Sequence, residues 1–171
     1  QQFNDQNLRV LTESFYWSDE TKKWMGMQKS IWNFDSIGNE IYFESLFWDQ
    51  YNQKWTGQLK YTIQINYTDS VGEIIYYNWN QETSAWVYNS KQIKKKDGFG
   101  HLVLQEDYYW DSYNQLWIGG GKMEYAYDAS GRQIMNAGYH WDQSLKIWVG
   151  DYKSENRYDQ NDREIFYAGY N

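Results

Sequence analysis

At 171 residues the chain has the length of one domain, and no proline, Ser/Gly linker or long charged run marks a boundary inside it. A net charge of −7 argues against nucleic acid as a partner, and the absence of cysteine excludes disulfides and thiolate metal sites. No apolar stretch approaches the roughly 18 residues that span a bilayer, so we expect no membrane insertion. The 11 Trp, 18 Tyr and 7 Phe outnumber Leu, Ile and Val together, a composition typical of strands.

The sequence is a tandem repeat with a period of 31 residues. In each copy two tryptophans stand seven residues apart, and a lysine follows the second tryptophan by five residues. The tryptophan pairs are Trp17 and Trp24, Trp48 and Trp55, Trp79 and Trp86, Trp110 and Trp117, and Trp141 and Trp148. The lysines are Lys29, Lys60, Lys91, Lys122 and Lys153. These columns predict repeats at 3–33, 34–64, 65–95, 96–126 and 127–157, with a partial copy at 158–171.

Each repeat opens with a turn signal of the kind seen in YDASGR, residues 127 to 132. Its second residue is always Asn or Asp, which caps a type I turn, and its fifth tolerates a positive φ, which favours a bulged hairpin. The predicted caps are Asn4, Asp35, Asn66, Asp97, Asp128 and Asp159. The residues expected at positive φ are Asn7, Gly38, Asp69, Gly100, Gly131 and Asp162. Repeat three is a partial exception, because YTDSVGEI also fits a turn three residues later.

The two stretches that follow each turn are rich in Tyr, Trp, Ile and Thr and lack a helical period, as in IYFESLFW and WTGQLKYTIQI. They predict an all-β fold: tandem β-hairpins in one repeat domain over residues 1–171, forming an antiparallel meander of about eleven strands. The mean hydropathy of −0.96 leaves too little aliphatic material for a thick two-sheet core. This favours an elongated or coiled repeat sheet, with a closed barrel as the alternative.

Polar residues separate the tryptophans of each pair, so we expect the two rings to face each other across a loop and to fix the register of the hairpin. A large aromatic ring over a cross-strand glycine would shield the backbone there. The predicted ring and glycine partners are Phe15 with Gly26, Tyr108 with Gly119, and Tyr139 with Gly150. Aromatic pairs of this kind contribute about 0.5–1.5 kcal/mol beyond burial and would leave an aromatic stripe on one face.

The segments MEYAYDASGRQIMNAGYHWD and YDQNDREIFY resemble the tyrosine-aspartate repeats of RHS and teneurin-like shells, with their signature Y-x-Y-D-x-x-G-R. With W-D-x-x-x-x-x-W and the following lysine, the chain is more similar still to tandem repeats of large secreted surface proteins of Bacteroidetes. The similarity covers the full chain in spacing, although repeats three and four carry INYTD and KDGFG in place of the Tyr-Asp pair. The resemblance implies a non-catalytic, extracellular, all-β repeat region at the cell surface.

No cluster of residues in the sequence indicates an enzyme. His101 and His140 lie far apart, in different columns and without matching carboxylates, so we expect no catalysis there. Acidic turns such as DSIGNE suggest calcium only superficially, because an oxygen cage needs several ligands converging in one loop, and turn capping explains these residues better. We therefore predict no catalytic residue, no metal site and no cofactor.

Two columns of side chains support hypotheses about binding. The lysine column would place ammonium groups about 10 Å apart on one face, where they would contact an anionic polysaccharide or an acidic chain. The alternative is that lysine stems cover aromatic rings. The ten paired tryptophans are the candidate ligand-binding residues, because rows of exposed rings bind sugars and drive protein association; their alternative is to fill the interface of their own hairpins.

The first function hypothesis is that the chain is a structural or adhesive module of an extracellular protein. The module would associate with itself or with other surface proteins, and one version of the hypothesis is that it assembles into a surface fibre. An open edge strand would support such assembly by β-augmentation. The second hypothesis is a carbohydrate-binding module that uses the aromatic stripe.

Overall fold

The computed structural model describes residues 1–170, and its regular elements are all β-strands. This confirms the all-β prediction, and the strands coincide with the stretches rich in aromatic and β-branched residues. The strands are β1 (Gln2–Phe3), β2 (Arg9–Ser18), β3 (Lys23–Phe34), β4 (Glu40–Asp49), β5 (Lys54–Asn66), β6 (Val71–Asn80), β7 (Ala85–Lys96), β8 (Leu102–Asp111), β9 (Leu116–Tyr127), β10 (Gln133–Asp142), β11 (Ile147–Tyr158) and β12 (Glu164–Tyr170).

The strands form one sheet in which sequence neighbours are hydrogen-bonded neighbours, in the order β1 to β12. The predicted antiparallel meander is confirmed, and the count rises to 12 because Gln2–Phe3 pairs as a short strand with β2. Within residues 1–170, β1 and β12 stand at opposite ends of the strand order, so the alternative of a closed sheet is wrong. Elongation and coiling of the sheet stay predictions. None of the described segments is an apolar helix of membrane-spanning length.

The chain divides into two units built from these hairpins. The first unit comprises residues 1–64 and 74–89, and so contains repeats one and two and the tryptophan hairpin of repeat three. The second comprises residues 65–73 and the chain from residue 90 onward, and contains repeats four and five. The single repeat domain expected from the sequence stays a prediction, and Asn171 lies outside the described residues.

The turns that open the repeats are capped as the sequence predicts. In repeat five, Asp128 Oδ1 accepts hydrogen bonds from the backbone N–H groups of Ser130 and Arg132, at 2.9 and 3.0 Å, and Gly131 has a φ of 79°. The equivalent caps are Asn4, Asp35, Asp97 and Asp159. The predicted positive φ angles are confirmed at Asn7, Gly38, Gly100, Gly131 and Asp162.

Repeat three departs from this turn pattern by one residue. Asn66 Oδ1 still accepts from the backbone N–H groups of Thr68 and Asp69, at 3.0 and 3.2 Å. The positive φ, however, falls at Ser70 (53°) and not at Asp69, and β6 begins at the next residue. The predicted shift by three residues is therefore wrong. Asn66 remains in strand β5, so the chain has to reverse within the four residues 67–70.

A second turn, which we call the Trp loop, joins the two strands of each hairpin. The Trp loops are residues 19–22, 50–53, 81–84, 112–115 and 143–146. In repeat four, Asp111 Oδ1 accepts from the backbone N–H groups of Tyr113 and Asn114, at 2.9 and 3.1 Å, and Oδ2 accepts from the Asn114 side-chain amide at 2.7 Å. The last residue of every Trp loop has a φ of 50 to 55°, although none is glycine: Lys22, Gln53, Ser84, Gln115 and Lys146.

The described residues contain almost no conventional hydrophobic core. Their buried apolar side chains are Ile118 and Ala137, accompanied by the buried polar residues Ser45 and Thr56. Most aromatic side chains are half-buried or exposed. Contacts between neighbouring strands and neighbouring repeats must therefore supply most of the stability, as in other repeat proteins.

We expect the Trp loops to make the protein less stable in acid. Hydrogen bonds from Asn52 and Asn114 hold the pKa values of Asp49 and Asp111 below the ordinary 3.8. A carboxylate whose pKa is lower in the folded state stabilises that state above its unfolded pKa, and the contribution disappears as the pH falls through the folded pKa. The thermal midpoint should therefore fall as the pH is lowered below the ordinary aspartate pKa of 3.8.

The Asp111→Asn variant isolates the cap of one Trp loop. Its thermal midpoint should decline less steeply with acidification than that of the unmodified chain, because the amide carries no ionisable proton. Glu82→Gln removes a charge from the Trp loop of repeat three and serves as the control. Equal acid dependence in Asp111→Asn and in the unmodified chain would contradict the assigned role of the cap.

Candidate functional site: the Trp face

In repeats one, two, four and five, a bulge in the second strand of the hairpin brings the tryptophan, glycine and lysine columns onto one face of the sheet. In β5 the ladder with β4 passes from Gly57 to Leu59 and skips Gln58. Side chains alternate along a strand, so without this extra residue Lys60 would point away from Trp55. The equivalent skipped residues in the hairpins of repeats one, four and five are Met27, Gly120 and Asp151. We call this side of the sheet the Trp face.

The tryptophans of each pair meet edge to face across their hairpin. The ring centres lie 5.6, 5.3, 5.2, 5.0 and 5.1 Å apart in repeats one to five, and the planes are inclined by 65 to 78°. This is a favourable arrangement for two aromatic quadrupoles. Direct pairing of the two tryptophans, as the sequence predicts, is confirmed in the ladders of repeats one, two, four and five.

In repeats two, three and five the tryptophan pair also lies on the glycine of the repeat before it; repeat three itself carries Tyr88 at the glycine position. A Cβ atom added to Gly57 would lie 2.5 Å from the Trp79 ring and 2.6 Å from the Trp86 ring. At Gly119 the pair of repeat five would be 2.7 and 2.8 Å away, and at Gly26 the nearest ring atom of repeat two would be at 3.0 Å. Real Cβ atoms essentially never approach other heavy atoms below 3.0 Å. We call each such position a glycine site.

This contact corrects the expectation that a cross-strand ring covers each glycine. The predicted registers of Phe15 with Gly26, Tyr108 with Gly119, and Tyr139 with Gly150 are confirmed. At Gly26 and Gly119 the covering rings, however, come from the following repeat, because the glycine strand lies between its own hairpin partner and the first strand of the next hairpin. At Gly150 the nearest ring is the predicted cross-strand ring of Tyr139, at 3.9 Å. A cross-strand ring does lie against a glycine on the opposite face, where Tyr152 is paired with Gly138.

Three lysines of the column, Lys60, Lys91 and Lys122, lie against aromatic rings of the following repeat. Lys60 Nζ is 4.8 Å from the centre of the Tyr77 ring and 6.0 Å from that of Trp86. Lys91 Nζ lies 4.8 Å from the centre of the Tyr108 ring. Such cation–π contacts contribute about 0.5–2 kcal/mol, more when they are shielded from water. The structure therefore shows the second of the two arrangements expected from the sequence, in which lysine side chains cover aromatic rings.

Glutamates complete the environment of these lysines. The Nζ–Oε distances are 3.1 Å for Lys29 and Glu13, 3.5 Å for Lys91 and Glu73, and 2.7 Å for Lys122 and Glu124. The side chains of Lys91 and Lys122 are only 16% and 18% exposed. Contact of the lysine column with an external anion stays a prediction, and an incoming anion would have to compete with these glutamates.

Tyrosines and carboxylates on the Trp face also bind to one another. Tyr108 donates a 2.6 Å hydrogen bond to Glu106, and burial together with this bond raises the pKa of the phenol well above its usual range. Trp86 Nε1–H donates to Glu44 at 2.6 Å, which links repeat three to repeat two. The Tyr108 phenol therefore stays protonated at neutral pH. The polar groups named here serve contacts within and between repeats.

A groove of about 390 Å³ lies beside the Trp face in the second unit. The Trp117 and Trp141 rings form part of its wall, and Gln143 and Lys146 belong to the adjoining Trp loop. Asn114, fixed to the cap of the preceding Trp loop, lines the same groove. Aromatic surface next to amide and ammonium donors suits a ligand with both apolar faces and hydroxyl groups. The sequence alone gave no sign that these two Trp loops share a groove.

The two histidines lie apart from this groove. His101 Nδ1 is 3.0 Å from Asp97 Oδ2, and the imidazole stacks on Tyr127 with ring centres 4.6 Å apart. His140 Nδ1 is 2.5 Å from Asp151 Oδ1 on the neighbouring strand. Among residues 1–170, no group of three or more His, Cys, Asp or Glu side chains has the arrangement of a metal site.

The sequence matches no protein-family model and no curated protein. Among solved structures, a protein of unknown function from Bacteroides fragilis superposes with a TM-score of 0.55 and 15% identity, over 72% of this chain and 89% of that one. At this identity the likeness bears on the fold alone. A DUF3836 family protein from Bacteroides vulgatus superposes with a TM-score of 0.42 and 17% identity, over 54% of this chain and 90% of that one. A DUF3836 family protein from Parabacteroides distasonis superposes with a TM-score of 0.40 and 16% identity, over 54% of this chain and 82% of that one.

Adding a single methyl group tests the glycine sites. Gly57→Ala and Gly119→Ala should each lower the free energy of unfolding by about 1–3 kcal/mol, because the added carbon overlaps tryptophan rings. Gly150→Ala is the matched control, since its Cβ would lie 3.9 Å from Tyr139, and its effect should stay within about 0.5 kcal/mol. Urea denaturation measures all three, and equal destabilisation by all three would contradict the assigned packing.

Proposed function

We propose that the chain is a non-catalytic structural and adhesive repeat module of an extracellular, cell-surface protein. The observation that carries the proposal is the contact of the tryptophan pairs of repeats two, three and five with the glycine sites Gly26, Gly57 and Gly119 of the preceding repeats. Within each unit this contact joins neighbouring repeats, as a spacer or scaffold requires. Self-association and binding to other surface proteins are the interactions that fit this role.

The polar columns support a structural role over a reactive one. The lysines contact rings and glutamates, and the aspartates of the turns accept backbone hydrogen bonds. The same residue types recur at the same positions in successive repeats, so the chemistry is distributed evenly instead of converging on one point. A scaffold needs this uniformity, whereas catalysis needs a unique cluster of groups with matched roles.

Accessibility on living cells tests the surface location. Cells that produce the protein are treated intact with a protease that does not enter them, and the chain is followed with an antibody raised against it. The signal should disappear without cell lysis, while a cytoplasmic marker stays intact. Protection of the chain in intact cells, with digestion only after lysis, would contradict the proposal.

The groove at Trp117 and Trp141 favours carbohydrate binding as the second candidate function. A sugar ring places its C–H groups against an aromatic face and its hydroxyls toward polar side chains, and the groove offers both, with Gln143 and Lys146 on one Trp loop. The site proposed for the ligand is therefore this groove, which uses two members of the predicted aromatic stripe. The tryptophan pairs of repeats two and three contact each other and glycine sites within their own unit.

A glycan array followed by calorimetry tests this second candidate. Trp117→Ala should weaken binding of the best sugar by about tenfold or more, and Gln143→Ala by a few-fold. Gln50→Ala, at the same position of the Trp loop in repeat two, is the matched control and should bind normally. The candidate is rejected if no sugar binds, or if Trp117→Ala binds as well as the unmodified chain.

A further inference from the structure

The positions that line the groove at Trp117 and Trp141 have equivalents in the Trp hairpins of repeats two and three, within the first unit. Most of the residue types recur there, two periods of 31 residues earlier. The unchanged pairs are Asp49 and Asp111, Asn52 and Asn114, Trp55 and Trp117, Trp79 and Trp141, and Gln81 and Gln143. The pairs that differ are Lys54 and Leu116, Thr56 and Ile118, and Ser84 and Lys146. These differences change the chemistry that each place offers to a ligand.

In the first unit, a lysine joins the Trp hairpins of successive repeats. Lys54, the first residue of β5, donates a 2.6 Å hydrogen bond from Nζ to Ser84 Oγ, at the end of the next Trp loop. The ammonium group is thereby bound within the chain. An incoming anion would have to compete with Ser84 for this ammonium group.

In the second unit, the lysine lies on the other wall of the groove. Leu116 holds the position of Lys54 and is 40% exposed, and its side chain has no polar group to bond across the groove. Lys146 holds the position of Ser84, is exposed, and lines the groove together with residues of repeat four. Among residues 1–170, no carboxylate forms a salt bridge with Lys146. The groove therefore presents an ammonium group that an outside ligand can reach.

The groove also contains one carboxylate, that of Asp111. Its Oδ1 accepts hydrogen bonds from the backbone N–H groups of Tyr113 and Asn114, and its Oδ2 accepts from the Asn114 side-chain amide. Both oxygens are thus bound to donors of their own Trp loop. The charge in the groove that is left without a partner is the positive charge of Lys146.

We infer that this groove binds an acidic sugar, with Lys146 paired to the carboxylate of a hexuronic acid unit. The C–H face of the sugar ring packs against the aromatic wall formed by Trp117 and Trp141, and the sugar hydroxyls bond to the Gln143 amide. The sugar carboxylate points toward Lys146 and away from Asp111. This inference rests on the second candidate function, carbohydrate binding in the same groove, and specifies the class of sugar.

Two features of the groove favour a uronic acid over other anions. The aromatic wall matches the flat apolar face of a sugar ring, which an acidic peptide lacks. The ammonium of Lys146 lies beside this wall and matches the single carboxylate of one uronic acid unit. Because Lys146 is exposed, the ion pair is screened by salt and raises the affinity only modestly, by about three- to tenfold at low ionic strength.

Paired probes that differ only in charge test the inference. Calorimetry compares an oligogalacturonate and an oligoglucuronate with their methyl esters, which keep the sugar rings and remove the charge. At low ionic strength at least one acid should bind about three- to tenfold more tightly than its ester. This preference should shrink in about 0.5 M NaCl, where screening is strong. An oligoglutamate peptide carries carboxylates without sugar rings and should bind more weakly than that acid.

Substitutions of Lys146 assign the preference to one side chain. Lys146→Met should remove it, so that acid and ester bind alike, and Lys146→Arg should retain it. Lys22→Met is the matched control, because Lys22 ends the Trp loop of repeat one with a φ of 52°, against 55° for Lys146. This control should keep the full preference. Circular dichroism checks that all three variants keep the sheet.

Equal binding of both acids and their esters overturns the inference. So does a preference that Lys146→Met leaves unchanged, or an oligoglutamate that binds as tightly as the acids. A neutral sugar that binds while neither acid does also overturns it, and the carbohydrate role then stands if Trp117→Ala weakens that binding. If no sugar binds, acidic or neutral, the carbohydrate role fails together with the inference.

Discussion

The contact between a tryptophan pair and the glycine of the preceding repeat is the interaction on which the other features of each unit depend. The hairpins bury too few aliphatic side chains for a conventional core, so stability has to come from rings packed on rings and on backbone. At Gly57 and Gly119 any side chain would overlap the rings. The tryptophans thus close their own hairpin and attach it to its neighbour, and Lys60 and Lys91 add a cation against Trp86 and Trp117.

Much of the fold follows from spacing in the sequence. The 31-residue period, the Asx caps and the face-to-face tryptophans predict the hairpins and their registers, because all of these depend on residues close together in the chain. The ring that covers Gly119 was assigned to the wrong strand, since the glycine strand has two neighbours and the local pattern shows only one. The bulge at Gln58 could not be read either, because a bulge is defined by the ladder that it interrupts.

The turns show where residue identity is a weak guide. Gln53 and Gln115 adopt a positive φ without being glycine, because the loop length and the aspartate cap fix the backbone there. Asp69 is the opposite case. Its residue type suits a positive φ, but in the shorter turn of repeat three the positive φ lies at Ser70. The groove between the Trp loops of repeats four and five was equally invisible, since it depends on how two loops 31 residues apart lie beside each other.

The same geometry bears on both proposed roles. The polar groups of the Trp face contact each other and the aromatic rings, so aromatic surface is what remains for recognition. Part of that surface lies beside Trp117 and Trp141, where a sugar would bind.

The most direct test of the central claim measures the exciton coupling between paired indoles by circular dichroism during thermal unfolding. Indole rings held edge to face about 5 Å apart give an exciton couplet that isolated tryptophans lack. The account predicts a couplet in the native protein that is lost in the same cooperative transition as the sheet, and that melts earlier in Gly119→Ala. A native sheet without the couplet, or a couplet that disappears well before the sheet unfolds, would contradict it.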